Sequence, residues 1–437
     1  MIESVFVASI FGLGQGTALL LLTVFVFALF ALGVPVLLLF GIWSLGFTVL
    51  TGPFPFVNIP LAAFEQLQSF PLVAIPLFIG VGSLINASGM SSDIIGFSRA
   101  SGGWLPGSTA NTAIYTAGIF SAITGSNTAT TASVGEALYD DLEEEGYDKE
   151  FAAATIAAGG TIGVIIPPSV MFILYGVTFN VSVPDLFLAG IIPGLMMMFG
   201  LSAVATYVSW KNDYGTAEQK FSVVNIVRQF WKSKDAFIAI AILLGGIYAG
   251  IFTPSESAIA AIVYITLSSL TNVDADLREI VGSIFNAARL SAMIVPILVT
   301  SIMVQQNLSY LGLQRIVGNA IVGLGNPWLI GIAMFVILLV SGMTLASVPN
   351  MVLVAPLLAP AAFHLGLSPL MWGVIFLIND AIGFITPPYG LNLYIISSIT
   401  GIDYVNVATS ALPYLLIQYS VWIVFFMFPA VNVLAPA

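Results

Sequence analysis

Long apolar runs separated by short polar interruptions dominate the chain, and their lengths predict helices that cross a bilayer. About 20 apolar residues span a hydrocarbon core as an α-helix. Full or nearly full runs fall at about 16–33, 34–51, 71–89, 186–209, 236–252, 257–271, 281–303 and 405–428. Four other apolar stretches, 107–140, 150–178, 328–362 and 370–400, are broken in the middle by Gly or Pro-Pro flanked by Ser, Thr or Asn. A Pro removes a backbone donor and strains the preceding turn. Backbone groups freed in hydrocarbon cost several kcal/mol each unless they are buried or line a cavity. The four interruptions therefore predict two re-entrant hairpins, 107–140 and 328–362, and two broken helices, 150–178 and 370–400. The hairpin tips are expected near Gly125-Ser-Asn-Thr128 and Gly342-Met-Thr-Leu-Ala-Ser-Val-Pro349. The breaks are expected at Ile-Ile-Pro167-Pro168 and Ile-Thr-Pro387-Pro388.

Composition fixes the solvent. The 437 residues are 59% hydrophobic and only 7% charged, with a mean hydropathy of +1.05. Soluble domains carry about 25% charged residues, so most of this surface faces lipid. That excludes a soluble enzyme, a disordered chain and a nucleic-acid binder, because ten Lys and Arg are too sparse to track phosphates. There is no Cys and one His, His364, which leaves no thiolate site, no His cluster and no material for a His-based catalytic triad. A membrane-embedded enzyme would need a convergent acid, base or metal set, and none stands out. The first 98 residues contain no Lys or Arg. A cleavable signal needs a basic start, so the first apolar run is expected to stay as a span.

Basic residues set the expected orientation, since Lys and Arg collect on the cytoplasmic side. Lys211, Lys220, Arg228, Lys232 and Lys234 lie between two spans, so that loop is placed inside. Arg99, Lys149, Arg278 and Arg289 then fall inside and Arg315 outside. Both termini fall on the periplasmic side, which fits the acidic Glu3. The acids from Glu136 to Glu150 lie on one cytoplasmic turn and read as a solvated hairpin base. Trp104, Trp328 and Trp372 are expected to anchor at the interface, and Glu256 to cap a helix.

The chain also resembles itself. Shifted by 220 residues, 145–194 overlays 365–414 without a gap. Thr161-Ile-Gly-Val-Ile-Ile-Pro-Pro-Ser169 meets Ala381-Ile-Gly-Phe-Ile-Thr-Pro-Pro-Tyr389, and Pro193 meets Pro413. We expect a first repeat over 1–210, a cytoplasmic linker at 211–235 and a second repeat over 236–437. The two repeats run in opposite directions through the membrane. Inverted repeats with paired broken helices mark secondary transporters. The expected fold is an all-α polytopic membrane protein.

The interruptions bring together carbonyls, hydroxyls and amides: Ser126, Asn127, Thr128, Thr130, Thr131, Thr344, Ser347, Asn350, Thr386 and Asn392. Unwound carbonyls suit a hard cation such as sodium, and half-helix N-termini suit a carboxylate. Ser and Thr also serve simply as packing residues in membrane helices. Asp380 precedes a break by one turn and is read as a coupling acid or a capping group.

Several motifs resemble the large membrane subunit of tripartite ATP-independent periplasmic (TRAP) transporters. They are Tyr115-Thr-Ala-Gly-Ile-Phe-Ser-Ala-Ile-Thr-Gly-Ser126, Gly163-Val-Ile-Ile-Pro-Pro168, Asp185-Leu-Phe-Leu-Ala-Gly-Ile-Ile-Pro-Gly194, Gly246-Ile-Tyr-Ala-Gly-Ile-Phe-Thr-Pro-Ser-Glu256 and Thr386-Pro-Pro-Tyr-Gly-Leu-Asn392. The resemblance covers nearly the whole chain. It implies a bacterial cytoplasmic-membrane permease with an elevator motion. It further implies sodium-driven uptake of an organic anion such as a carboxylate or sialic acid. A periplasmic substrate-binding protein would deliver the solute, and a separate small four-helix membrane subunit would enlarge the scaffold. One sodium is implied at Gly125, Ser126, Asn127, Gly163 and Ile166, and another at Gly342, Thr344, Gly383 and Thr386. The solute is implied near Ser126, Asn127, Thr128, Pro168, Ser169, Pro388, Tyr389 and Asn392. Where many relatives carry an acid in the second tip, this chain has Ala346-Ser347. The competing reading is a stand-alone sodium–anion symporter of similar fold that needs no binding protein.

Overall fold

The computed structural model describes residues 15–51, 61, 64, 65, 70–215, 221–271 and 277–435. Glu3 and Lys220, used above for orientation, lie outside the described residues. Every regular element among the described residues is helical. In chain order the helices are α1 (Gln15–Ala31), α2 (Val36–Thr51), α3 (Ala74–Ala87), α4 (Met90–Gly102), α5 (Ser108–Thr124), α6 (Asn127–Glu144), α7 (Lys149–Gly160), α8 (Val170–Phe179), α9 (Val183–Asn212) and α10 (Val223–Lys232). They continue with α11 (Lys234–Tyr248), α12 (Pro254–Thr271), α13 (Leu277–Tyr310), α14 (Leu313–Val322), α15 (Pro327–Thr344), α16 (Ser347–His364), α17 (Pro369–Gly383), α18 (Leu391–Thr400), α19 (Tyr404–Ser410) and α20 (Leu412–Met427).

Each predicted span holds a helix, with edges moved by a few residues. The run at 405–428 is two helices, α19 and α20, that meet at 51°, and the run at 71–89 continues into α4 through an 81° bend. Gly89, at φ 77°, makes that bend, in a backbone region that side chains with a Cβ avoid. By length and hydropathy, four described helices can cross a membrane, or up to six if each bent pair counts as one span. The segment 211–235, read from sequence as a linker, carries the helix α10. Helices α4 and α14 also escaped the hydropathy reading, because each is short and mixes polar with apolar positions.

The order of elements from α1 to α9 recurs from α11 to α20, with the bent pair α19–α20 in the place of α9. Packing follows the same order. Helix α2 lies on α13 while α12 lies on α3, and α3 and α13 pack on each other. Asn307 of α13 ties this group together, its amide donating to the Ser44 carbonyl at 3.1 Å and the Ser44 hydroxyl at 2.7 Å. Helices α5–α9 and α15–α20 form a second group in which the two halves interlock. Every residue of α7 from Phe151 to Gly160 is buried, and so is every residue of α17 from Met371 to Gly383. The run Ala152-Ala-Ala-Thr-Ile-Ala-Ala-Gly-Gly160 lets neighbouring backbones come close, which is how membrane helices associate without a hydrophobic driving force.

Polar struts then cross between the halves. The Thr155 and Tyr414 hydroxyls meet at 2.6 Å, and the Gln418 amide donates to the Thr161 hydroxyl at 2.6 Å. The Tyr175 hydroxyl donates to the Pro369 carbonyl at 2.6 Å, and the Asn432 amide to the Ala189 carbonyl at 2.8 Å. Trp372 is fully buried, its indole N–H donating to the Ala355 carbonyl at 3.1 Å. It is a core residue, contrary to the interfacial role expected from sequence. Trp104 and Trp328 are 40% and 65% exposed. Glu256 caps α12, accepting from the Thr253 N–H and hydroxyl at 2.8 Å each.

The acidic run is more tied down than a solvated loop. Asp141 pairs with Arg99 at 2.6 Å, and Glu143 with Lys149 at 2.6 Å. Glu145 accepts from the Thr109 hydroxyl at 2.7 Å, and Asp148 caps α7 through the Phe151 N–H at 3.1 Å. These contacts fasten the open end of the α5–α6 hairpin to α4 and α7.

Replacing Tyr414 by Phe removes one strut and leaves Thr155 bonded to the Phe151 carbonyl. The expected loss is about 0.6 kcal/mol, typical of an interhelical hydrogen bond in a membrane protein. It should appear as a lower thermal midpoint in detergent. An unchanged midpoint would show that the strut contributes nothing to holding the halves together.

Candidate functional site

Helices α5 and α6 form the first hairpin, and its tip is Gly125-Ser126. Gly125 takes φ 57° and its N–H donates back to the Ser121 carbonyl at 3.0 Å, ending α5. Ser126 is extended and starts α6, its hydroxyl accepting from the Ala129 N–H at 3.4 Å. Around it, the Thr124 and Thr130 hydroxyls meet at 2.8 Å and those of Ser126 and Thr128 at 3.2 Å. The tip seats on the first broken helix, where α7 tightens into a 3-10 turn over Thr161–Val164 before Pro167-Pro168. The Val164 N–H, freed by that break, donates to Asn127 Oδ1 at 2.9 Å. A methyl group added at Gly163 would lie 2.5 Å from the Ser126 carbonyl oxygen and 2.7 Å from the Asn127 nitrogen. One added at Gly125 would lie 3.0 Å from the Pro168 carbonyl oxygen. Only glycine permits this backbone-to-backbone seating.

The second hairpin, α15 and α16, turns at Leu345-Ala346 and seats on the second broken helix in the same manner. A methyl group on Gly383 would collide with the Gly342 carbonyl oxygen and lie 2.6 Å from its carbonyl carbon. Gly163 and Gly383 are 220 residues apart, the same shift that aligns the chain with itself. The polar anchor differs between the halves. Here both carboxylate oxygens of Asp380 are engaged, Oδ2 by the Ser347 hydroxyl at 2.5 Å and Oδ1 by the Asn350 amide at 2.8 Å. Ser347 and Asn350 belong to the first turn of α16, so the buried acid fastens the start of that helix.

A cavity of about 720 Å³ opens between the two tips. Gly125, Ser126, Asn127 and Thr128 form one wall, and Ala346, Ser347, Val348 and Pro349 another. Both α6 and α16 therefore begin at the cavity. Helices α3, through Ser83 and Asn86, and α13, through Leu290, Met293, Ile294 and Ile297, complete it. These α3 and α13 residues sit inside ordinary apolar spans and had no signal in the sequence. No Lys, Arg or His is among the described lining residues.

The other sequence-predicted residues fall into three places. Gly163, Pro168 and Ser169 are buried behind the first tip, while Ile166 is half-buried against Gly194. The Ser169 hydroxyl and the Asn127 amide nitrogen are buried without partners among the described residues. Gly342, Gly383, Thr386 and Asp380 lie beneath the second tip, the Thr386 hydroxyl facing the Ile382 carbonyl at 2.8 Å and the Tyr419 hydroxyl at 3.2 Å. Thr344 is exposed and its hydroxyl folds back to the Val340 carbonyl at 2.8 Å. Next to Gly342, both polar atoms of Asn379 are buried and unpartnered among the described residues. Pro388 and Tyr389 are exposed and do not line the cavity, and the Tyr389 ring leans on Tyr394 at 5.8 Å. Asn392 points the other way, its amide donating to the Ala157 carbonyl of α7 at 3.1 Å. It joins the two broken helices.

Replacing Gly163 or Gly383 by Ala pushes a methyl into the opposite backbone in each case. Each variant should reduce solute transport at least about tenfold, a penalty of ~1.4 kcal/mol. A comparison variant at Gly245, where nothing lies within 4 Å, should transport normally. Wild-type transport by both tip variants, measured in proteoliposomes, would mean that the seating can be lost without consequence.

The family model described as "Tripartite ATP-independent periplasmic transporter, DctM component" matches residues 23–431. The isethionate TRAP transporter permease protein DctMQ of Oleidesulfovibrio alaskensis is 32% identical over 93% of this chain, which spans 64% of that longer protein. The C4-dicarboxylate TRAP transporter large permease DctM of Rhodobacter capsulatus is 28% identical, covering 90% of this chain and 94% of that one. The sialic acid TRAP transporter large permease SiaM of Vibrio cholerae is 30% identical, covering 90% and 92%. Among solved structures, the Alcanivorax borkumensis YdaH transporter superposes with a TM-score of 0.61 over 86% of this chain and 89% of its own. At 13% identity it shares the fold alone.

Proposed function

The chain belongs to the DctM family of tripartite ATP-independent periplasmic transporters, and from that premise we propose that it is the large permease of a sodium-coupled uptake system for a small organic anion. It is a multi-pass protein of the inner membrane. The observation that carries the reading is the cavity between two hairpin tips, each seated through a glycine on its own broken helix.

An anion needs positive potential, and the described lining residues carry no cationic side chain. Two helix N-termini supply it instead. Helices α6 and α16 are 18 residues each and begin at the cavity wall. Each presents unsatisfied N–H groups and roughly half a positive charge. A carboxylate placed between Ser126–Thr128 and Ser347–Val348 can accept from backbone N–H groups of both starts and from the Ser126 and Thr128 hydroxyls. A substrate of this kind is in keeping with the isethionate, C4-dicarboxylate and sialic acid named for relatives.

Sodium is the co-transported ion in this reading. At the first tip the backbone oxygens of Gly125, Ser126, Asn127, Gly163 and Ile166 are the candidate ligands. At the second they come from Gly342, Thr344, Gly383 and Thr386. Both places pair a tip with a break, where carbonyls released from helical bonding gather. An ion shared across each joint draws tip and break together, and so couples ion binding to the shape of the anion cavity. The two halves run in opposite directions through the membrane. The interlocked group α5–α9 and α15–α20 moves as a unit against α1–α3 and α11–α13, in an elevator manner. A periplasmic binding protein delivers the anion, and a small membrane subunit broadens the fixed part.

Reconstitution with both partners and an imposed sodium gradient should give uptake that collapses when sodium is replaced by potassium. Ser126→Phe, which fills the cavity from the first tip, should abolish uptake while the protein still elutes as a folded species. Sodium-independent uptake defeats the coupling, and undiminished uptake in Ser126→Phe defeats the site. Full uptake without the binding protein would favour a stand-alone symporter.

A further inference from the structure

Helix α10 lies between the two halves and has no part in the site described above. We propose that it is a membrane-surface helix that binds anionic phospholipid headgroups. Its sequence is Val223-Val-Asn-Ile-Val-Arg-Gln-Phe-Trp-Lys232. At about 100° per residue, Val223, Val227, Trp231 and Val224 share one sector, followed in turn by Arg228, Lys232, Asn225 and Gln229. Those four apolar side chains are 59%, 49%, 65% and 80% exposed. The edge that runs from Gln229 through Ile226 to Phe230, next to Val223, is occupied. Phe230 meets Phe97 of α4 edge-on at 6.1 Å and Phe237 of α11 at 4.8 Å, and Gln229 lies over Gly96. Lys232 pairs with Asp93 at 3.1 Å, and the Ser233 hydroxyl donates to the Asp93 carbonyl at 2.7 Å. The helix is thus held in place by its inner edge and turns an apolar sector outward.

Two features identify what covers that sector. The first is position. Only Ser233 separates α10 from α11, an apolar helix that follows at Lys234, so α10 is tethered at the membrane surface. An amphipathic helix so placed, with Trp on its apolar face and basic residues on its flank, sinks that face into the headgroup boundary. Phe221, 58% exposed, continues the apolar surface beside the helix and meets Trp104 edge-on at 5.3 Å. The second is charge. The chain carries a net charge of −11 on only ten Lys and Arg. Arg228 and Lys232 nonetheless lie on the polar side of this one helix and Lys234 just past its end, Lys232 facing Asp93 at 3.1 Å and Lys234 facing Asp235 at 3.7 Å. Guanidinium and ammonium groups beside an interfacial apolar face match the phosphate of an anionic lipid. Because α10 also braces α4, which links α3 to the first hairpin, headgroup binding would steady that connection.

The full chain has no Cys, so Val224→Cys can carry a single bimane label. The labelled protein is placed in phosphatidylcholine vesicles doped with nitroxide-labelled phosphatidylglycerol or, separately, nitroxide-labelled phosphatidylcholine. At equal mole fraction the anionic quencher should be about fivefold more effective, the contribution expected of one cation near an anionic surface. Arg228→Gln should remove that preference without removing quenching itself, and Arg228→Lys should restore it. Equal quenching by the two lipids would overturn headgroup recognition. Absence of quenching by either would show the helix held off the membrane. Quenching that vanishes when the small membrane subunit is added would assign the sector to a protein partner.

Discussion

A helix that stops inside hydrocarbon must give its freed N–H and C=O groups to some other part of the protein. That constraint governs the centre of this molecule. The two broken helices stop at Pro-Pro, and each receives a hairpin tip at the point where it stops. Val164 hands its N–H to Asn127, and Gly163 and Gly383 let the tip backbones approach to contact distance. Since the tip and the break need each other, neither half of the joint can be changed alone. The cavity between the tips exists because these two joints are held face to face.

Holding them there falls to the elements around them. Neighbouring helices gain no hydrophobic energy from meeting in lipid, so close packing and hydrogen bonds decide their order. Ala- and Gly-rich α7 provides the packing. The Thr155–Tyr414, Gln418–Thr161 and Asn392–Ala157 contacts provide hydrogen bonds that cross from one half of the chain to the other. The group α1–α3 with α11–α13 is bound by its own contacts, among them Asn307 to Ser44. Fewer elements join the two groups, chiefly α3 with α5 and α13 with α16. The cavity lies along that boundary, with α3 and α13 on one side and the two tips on the other.

The halves match in backbone but not in polar chemistry. The first tip is anchored by an amide that accepts from a freed backbone donor. The second is anchored by Asp380, whose two oxygens hold Ser347 and Asn350. A buried carboxylate is costly unless hydrogen-bonded, and here two donors from one helical turn meet it. The carboxylate of this joint thus comes from the broken helix beneath, and the tip itself contributes the two donors.

By itself the sequence determined the solvent, the helices and the places where they break, and set Gly163 against Gly383, because hydropathy, Pro-Pro and a 220-residue shift are local or linear signals. It also marked Gly125, Ser126, Asn127 and Thr128, which line the cavity. Tertiary structure decided the rest. Pro388 and Tyr389 resemble Pro168 and Ser169 in the linear pattern, yet the second break is exposed where the first is buried. Asn392 carries the same side chain as Asn127 but turns it onto α7. Trp372 is sealed in the core instead of lying at the interface. The walls that α3 and α13 give the cavity were silent in the sequence, since an apolar residue facing a cavity and one facing lipid read alike. What separates them is which neighbour each side chain meets, and that is set only when the helices pack.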